Sequence, residues 1–171
     1  MNLEVGALAF YPAHGVGQIE AKEKRIVGDQ SFDVLVMRIL ENNMKIMIPA
    51  QNIDDVGLRP LMGKKEVDKI YQIFKKPAKI PDTTNWNRRH REYMEKIKTG
   101  SPFEVASVMC ELLSMRVEKD LSFGERKLLD TVRVLLVKEV ALASKKSEKL
   151  VEEEIFAFFP PPKGAQIKGN L

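Results

Sequence analysis

The sequence predicts an α+β protein: a small N-terminal β-barrel or strongly bent sheet, followed by a compact all-α C-terminal module. Three observations predict it. Up to Leu61 the chain is a series of short β-prone runs separated by turn residues. After Leu61 the apolar residues recur at three- and four-residue spacing, and serine-led capping boxes appear. Nowhere does a strand alternate with a helix as in a nucleotide-binding βαβ fold.

Residues 8–11, 17–22, 32–39 and 44–49 are the β runs, rich in β-branched, aromatic and large apolar side chains. Pro12 with Gly15, Gly28 with Asp29, and Asn42 with Asn43 punctuate them. Asn42-Asn43 tolerates positive φ and suits a two-residue hairpin between the third and fourth runs. In the second half, residues 65–75 put Val67, Ile70, Tyr71 and Phe74 on one helical stripe. A breaker with Pro77 and Pro81 follows, then a helix over 84–98 stopped by Gly100, with Asp82, Thr83 and Thr84 as capping candidates. Ser101-Pro102-Phe103-Glu104 is a capping box with proline at the first helical position. Ser122-Phe123-Gly124-Glu125 is a second box, opening a helix to about residue 143. A last helix over 147–159 ends at Pro160-Pro161-Pro162. The expected units are a β module over 1–61, a helical module over 62–160 and a flexible tail over 161–171.

Composition narrows the function. With 44% hydrophobic and 30% charged residues the chain reads as globular and soluble, without a membrane-length apolar run or a basic leader. One cysteine and two histidines argue against disulfides or a structural zinc site and suit a reducing cytoplasm. The net charge of +4 is uneven: residues 62–100 carry 11 basic against 5 acidic side chains, whereas residues 101–171 balance at 11 each. Such asymmetry points toward phosphate. Lys64, Lys65, Lys75, Lys76 and Lys79 by themselves also read as an ordinary solvated face.

Enzyme chemistry is not indicated. His14-Gly15-Val16-Gly17 lacks the lysine and hydroxyl of a phosphate-binding loop and leads into a strand, so it reads as a tight turn. Asp54-Asp55 and Glu152-Glu153-Glu154 have no companion ligands, and Cys110 sits among apolar helix residues as an inert thiol. No nucleophile, base and orienting group can be assembled. Neither a cofactor nor a metal is expected.

Two features remain. Alternation along 44–49 places Met44, Ile46 and Ile48 on the core face and Lys45, Met47 and Pro49 on the other. A methionine on the polar side, with proline closing the strand, is compatible with an edge offered to a partner and equally with a two-sided barrel core. The second feature is Trp86, the single tryptophan, followed at once by Arg88, Arg89 and Arg91. Tyr93, Met94 and Ile97 form the buried stripe of that helix. Arg88 and Arg91 lie on one side with Arg89 flanking them, in reach of Glu92 and Glu95 at i,i+4. The residues alone are compatible with a core tryptophan and with a wedge for nucleic acid.

Several motifs in order resemble the CarD/CdnL family of bacterial transcription regulators, along residues 1 to about 158. They are Phe10-Tyr11-Pro12-Ala13-His14-Gly15-Val16-Gly17, Arg38-Ile39-Leu40-Glu41-Asn42, Met44-Lys45-Ile46-Met47-Ile48-Pro49 and Val56-Gly57-Leu58-Arg59. In the second half they are Trp86-Asn87-Arg88-Arg89, Tyr93-Met94-Glu95-Lys96-Ile97-Lys98-Thr99-Gly100 and Asp120-Leu121-Ser122-Phe123-Gly124-Glu125-Arg126-Lys127. The CdnL-like branch fits best, since the chain carries no long acidic or AT-hook tail.

The resemblance implies a Tudor/SH3-like N-terminal barrel that binds the RNA polymerase β subunit, a module shared with the transcription-repair coupling factor. It implies Met47 and Pro49 as polymerase contacts, and Lys24 and Arg25 as further ones. It further implies that Trp86 enters the minor groove of promoter DNA at the upstream edge of the −10 element and stabilises the open complex. Arg88, Arg89 and Arg91 are then backbone contacts. The chain departs from the family at Met47, where some relatives carry a basic residue, and at His90, where many carry an aromatic one. A monomer is expected, in the bacterial cytoplasm and associated with the nucleoid through polymerase. The rival readings are an adaptor that binds polymerase alone, with Trp86 in the core, and a sequence-specific repressor. The second lacks a paired recognition helix and a dimerisation seam.

Overall fold

The structure, a computed structural model, describes residues 3–76, 78–79 and 85–160. Among the described residues five strands come first: β1 (Leu8–Tyr11), β2 (Gly15–Val27), β3 (Gln30–Ile39), β4 (Lys45–Pro49) and β5 (Arg59–Pro60). Five helices follow: α1 (Lys64–Lys75), α2 (Trp86–Lys98), α3 (Pro102–Glu118), α4 (Phe123–Ser144) and α5 (Glu148–Phe156). The α+β class stands. The β half is an antiparallel sheet in the order β4-β3-β2-β1-β5. It is open: among the described residues no pairing joins β4 to β5, so the expected barrel does not close.

The hairpins differ from the sequence reading. The two-residue turn is Gly28-Asp29, between paired Val27 and Gln30, with Gly28 at φ +63°. It joins the two longest strands, β2 and β3, into an arm whose tip exposes Ile26 and Val27. The Asn42-Asn43 connection is wider. Arg38 pairs with Lys45, Asn43 takes the positive φ, and the Asn42 side chain accepts from the Met44 amide at 3.0 Å. An Asx turn has replaced the tight hairpin there.

The helices start where capping chemistry allows. Ser122 accepts from the Glu125 amide, and Glu125 accepts from the Ser122 amide at 2.8 Å, a complete capping box. Ser101 and Ser147 cap α3 and α5, with Pro102 at the first position of α3. Helix α2 is capped by Asn85, whose side chain accepts from the Asn87 amide, so it begins at Trp86 and not at residue 84. Asp82, Thr83, Thr84, Pro77, Pro81 and the expected tail over 161–171 lie outside the described residues. Helix α5 stops at Phe156, earlier than expected, and Phe159 folds back into the core.

Among the described residues two apolar clusters form the core. Ala9, Ile19, Leu35, Met37, Ile39 and Ile48 lie within the sheet module. The larger cluster gathers the helices around α3 and α4, including Tyr93 and Ile97 of α2 and the Val67, Ile70 and Phe74 stripe of α1. Phe10 and Val16 belong to this second cluster although they stand on β1 and β2. They are cross-strand partners and so share a face, opposite that of Ala9. Strand alternation thereby gives the sheet a second buried face, turned toward the helices. Arg59 and Glu139 join the two halves by ion pairing at 2.5 Å, with Glu139 only 1% exposed. Removing Arg59 would strand a buried carboxylate and cost about 3–5 kcal/mol.

Candidate nucleic-acid interface

Trp86 is the first residue of α2 and is half-buried. Its indole rests on the opening turn of α4: a Cβ at Gly124 would come within 3.0 Å of the Trp86 Cζ2 atom. A residue without a side chain is what allows this approach. The His90 ring lies 5.3 Å from the indole, and the Arg89 guanidinium stands 5.6 Å from its centre, within cation–π range. Beside the indole is an open groove of about 510 Å³, lined by His90, Met94, Gly124, Lys127, Leu128 and Thr131.

The three arginines separate in role. Arg88 is exposed and pairs with Glu92 at 3.2 Å, as the i,i+4 spacing predicts. Arg91 is exposed, and no ion pair to it, including the anticipated one with Glu95, is found among the described residues. Arg89 is turned inward, with its side chain 11% exposed. It donates to Glu125 Oε1 at 3.0 Å and to Met115 Sδ at 3.4 Å. Burial pushes the Glu125 carboxyl up, but the Ser122 amide and the Arg89 guanidinium outweigh it and hold the group below its ordinary value. Next to Arg89, Tyr93 is buried with no hydrogen bond to its hydroxyl among the described residues. Burial, with Glu111 nearby, raises its phenol against the opposing pull of Arg89.

The sequence reading missed one residue of this surface. Phe123 is 77% exposed at the first position of α4, next to the glycine that seats Trp86. The signal was present: Leu128, Leu129 and Val132 set the buried stripe of α4, and Phe123 falls on the polar stripe with Arg126. A phenylalanine out of phase with its own helix is the observation to look for.

On the sheet, β4 is an edge strand, paired among the described residues with β3 alone. Met47 is 55% exposed, while Ile48 is buried, as the alternation predicts. The register places Met47 opposite Val36, Pro49 opposite Val34, and Arg25 opposite Phe32. Steps of two along each strand put Met47, Pro49 and Arg25 on one face. Lys24 belongs to the opposite face, where it lines a groove with Leu3 and Ile53. The register therefore puts three of the four expected sheet residues on one face, with Met47 and Pro49 on β4 and Arg25 two strands away on β2, and puts Lys24 on the other. Arg25 is also held 2.8 Å from Glu23.

Among the described residues no group of His, Cys, Asp and Glu could hold a metal ion, and no helix is long and apolar enough to cross a membrane. Cys110 is buried with its thiol pushed up by burial, as an inert cysteine should be.

Comparison with known proteins finds a family match for each half of the chain. Residues 3–62 match the family model described as the CarD-like/TRCF RID domain, and residues 69–156 match that of the CarD C-terminal domain. The chain is 31% identical over 152 residues to YdeB of Bacillus subtilis (strain 168), which bears the name of a transcription factor. That match covers 87% of this chain and 97% of the relative. A solution structure of the 72-residue N-terminal domain of Myxococcus xanthus CarD is 29% identical, covering 34% of this chain and 79% of that one, with a TM-score of 0.30. With family models on both halves and a relative aligned along nearly its whole length, this chain belongs to the CarD-like family of transcription regulators.

Proposed function

We propose that this protein binds the RNA polymerase β subunit through the β4 edge and stabilises the open promoter complex through the Trp86 surface. Family membership supports a role in transcription, and the seat of Trp86 carries the finer reading. A half-exposed indole propped on Gly124, with exposed Phe123 next to that glycine and exposed Arg88 and Arg91 farther round helix α2, suits a minor groove being opened. An apolar wedge partly unstacks a base step at a cost of a few kcal/mol, so it favours DNA already distorted at a melting junction. Arg88 and Arg91 act on phosphates, which orients the protein without reading sequence. Arg89 holds the seat from within.

So few phosphate contacts give weak binding to free DNA, and tethering to polymerase supplies the missing effective concentration. The β4 edge is the tether. A polymerase strand adds to its free backbone groups, Met47 and Pro49 contact the side chains of that strand, and Arg25, two strands inward on the same face, meets the polymerase surface beyond it.

Site-specific photocrosslinking tests both contacts in one assembly of polymerase, promoter and full-length chain. A crosslinker at position 47 should label the β subunit, and one at position 86 should label DNA at the upstream edge of the −10 element. Labelling of polymerase alone from position 86 would replace this reading with that of an adaptor.

A further inference from the structure

Three residues line up across the sheet. Val16 on β2 pairs with Phe10 on β1, and Phe10 pairs with Arg59 on β5, so all three side chains leave on the face turned to the helices. Arg59 is stacked 4.2 Å over the Phe10 ring. From there it makes contacts with two separate helices. Its Nη1 and Nη2 donate to the two oxygens of Glu139 on α4, at 2.5 and 2.9 Å. Its Nε donates at 2.7 Å to the carbonyl of Gly100, just past the end of α2. Glu139 also accepts from the Met62 amide at 3.0 Å.

The two helices held in this way are the two that build the Trp86 seat. Trp86 begins α2, and Gly124 lies in the first turn of α4. At 1.5 Å per residue each contact lies about 20 Å along its helix from the indole. Further contacts stiffen the joint. Pro12 packs on Gly100, whose φ of +71° and missing Cβ both suit the approach, and Lys138 of α4 reaches Glu41 at 3.5 Å.

We infer that Arg59 and Glu139 are positioning residues. Their clasp holds the β4 edge and the Trp86 seat as one body, and that fixed spacing sets how firmly a promoter junction is held. The functional half of this statement rests on the reading above. Two sites joined by a loose link keep their separate affinities, yet a loosely held wedge is displaced when the strands re-anneal. Rigid placement removes that freedom in advance.

The distances are read on the full-length chain with spin labels at Lys45→Cys on β4 and Glu95→Cys on α2, with Cys110 buried and left in place, and the affinities and lifetimes are read on the unlabelled chain. Arg59→Lys keeps the charge but loses the two-pronged bond, and Glu139→Gln keeps the shape. In either variant the label-to-label distance distribution should broaden or shift, with helix content unchanged. Affinities for the isolated β-subunit lobe and for fork-junction DNA should each change no more than about twofold, while the open-complex lifetime falls about tenfold. An unchanged, narrow distribution in both variants overturns the clasp. A broadened distribution with an unaltered lifetime overturns the positioning role, and so does a lifetime that only tracks the folded fraction. If the parent protein itself fails to lengthen the lifetime, the promoter reading fails, and the label distances still decide the clasp.

Discussion

The guanidinium of Arg89 lies 3.0 Å from the carboxylate of Glu125, a residue 36 positions away that also closes the capping box of α4. One carboxylate thus starts a helix and anchors its neighbour, and the indole of Trp86 sits over the joint. Arg89 accordingly differs from Arg88 and Arg91 in what its loss should do.

Arg89→Ala should destabilise the helical half by about 2–4 kcal/mol, because Glu125 is left buried without its partner. Arg88→Ala and Arg91→Ala should each change stability by less than about 0.5 kcal/mol, as exposed residues do. Instead each should reduce the log–log salt slope of promoter binding by about one unit. Thermal melts and salt titrations of the three variants check the division. Equal salt slopes for all three and the parent would remove the phosphate assignment.

The Glu125 carboxyl has a folded-state value below its ordinary 4.5, so its stabilisation is complete above that pH and is lost as the pH falls through the lowered folded value. The melting temperature of Glu125→Gln should therefore lie a constant interval below the parent from about pH 8 to about pH 5, closing in more acid solution. A gap that widens as pH falls would mean the carboxyl is not the stabilising form.

Gly124→Ala separates the seat from the fold. Alanine favours the helix by about 0.5–1 kcal/mol, which offsets much of the strain of pushing Trp86 aside, so stability should stay within about 1 kcal/mol of the parent. The displaced indole should show altered fluorescence, legible because it is the single tryptophan. An unshifted emission spectrum with normal promoter activity would show that the close approach is immaterial.

Met47→Glu should abolish binding to the β-subunit lobe while the sheet stays folded, since Met47 is exposed in the free protein. A charge buried unpaired in an interface costs several kcal/mol. Calorimetric titration with the isolated lobe measures this, and an unchanged affinity would move the polymerase contact off β4.

What the sequence discloses here follows from the range of the interactions. The Ser122–Glu125 capping box, the Val67–Ile70–Phe74 stripe and the Met47/Ile48 alternation are local, and they were legible, whereas the expected Ser101–Glu104 box is half made because the Ser101 amide donates to Thr99 Oγ1. The inward turn of Arg89 depends on a partner 36 residues distant, and the face that Phe10 and Val16 give to the helices depends on how the halves pack. Neither has a local signature. Asn42-Asn43 was read as a tight turn because asparagine accepts positive φ, and only the strand register shows that a wider connection forms there. Lys24 was grouped with Met47 by resemblance, whereas register puts it on the opposite face. Phe123 was quoted within a capping box, where its place on the polar stripe went unread.

The most direct test of the central claim is the lifetime of the open promoter complex with Trp86→Ala, measured alongside thermal melts of the same preparation. Trp86 is half-buried, so its truncation should cost about 1–3 kcal/mol, less than the roughly 3–5 of a fully buried aromatic, leaving the protein folded and bound to polymerase. The open complex should nonetheless decay several times faster, with Trp86→Phe restoring part of the lifetime. If decay follows only the fraction of protein that remains folded, Trp86 is a core residue and the wedge assignment fails.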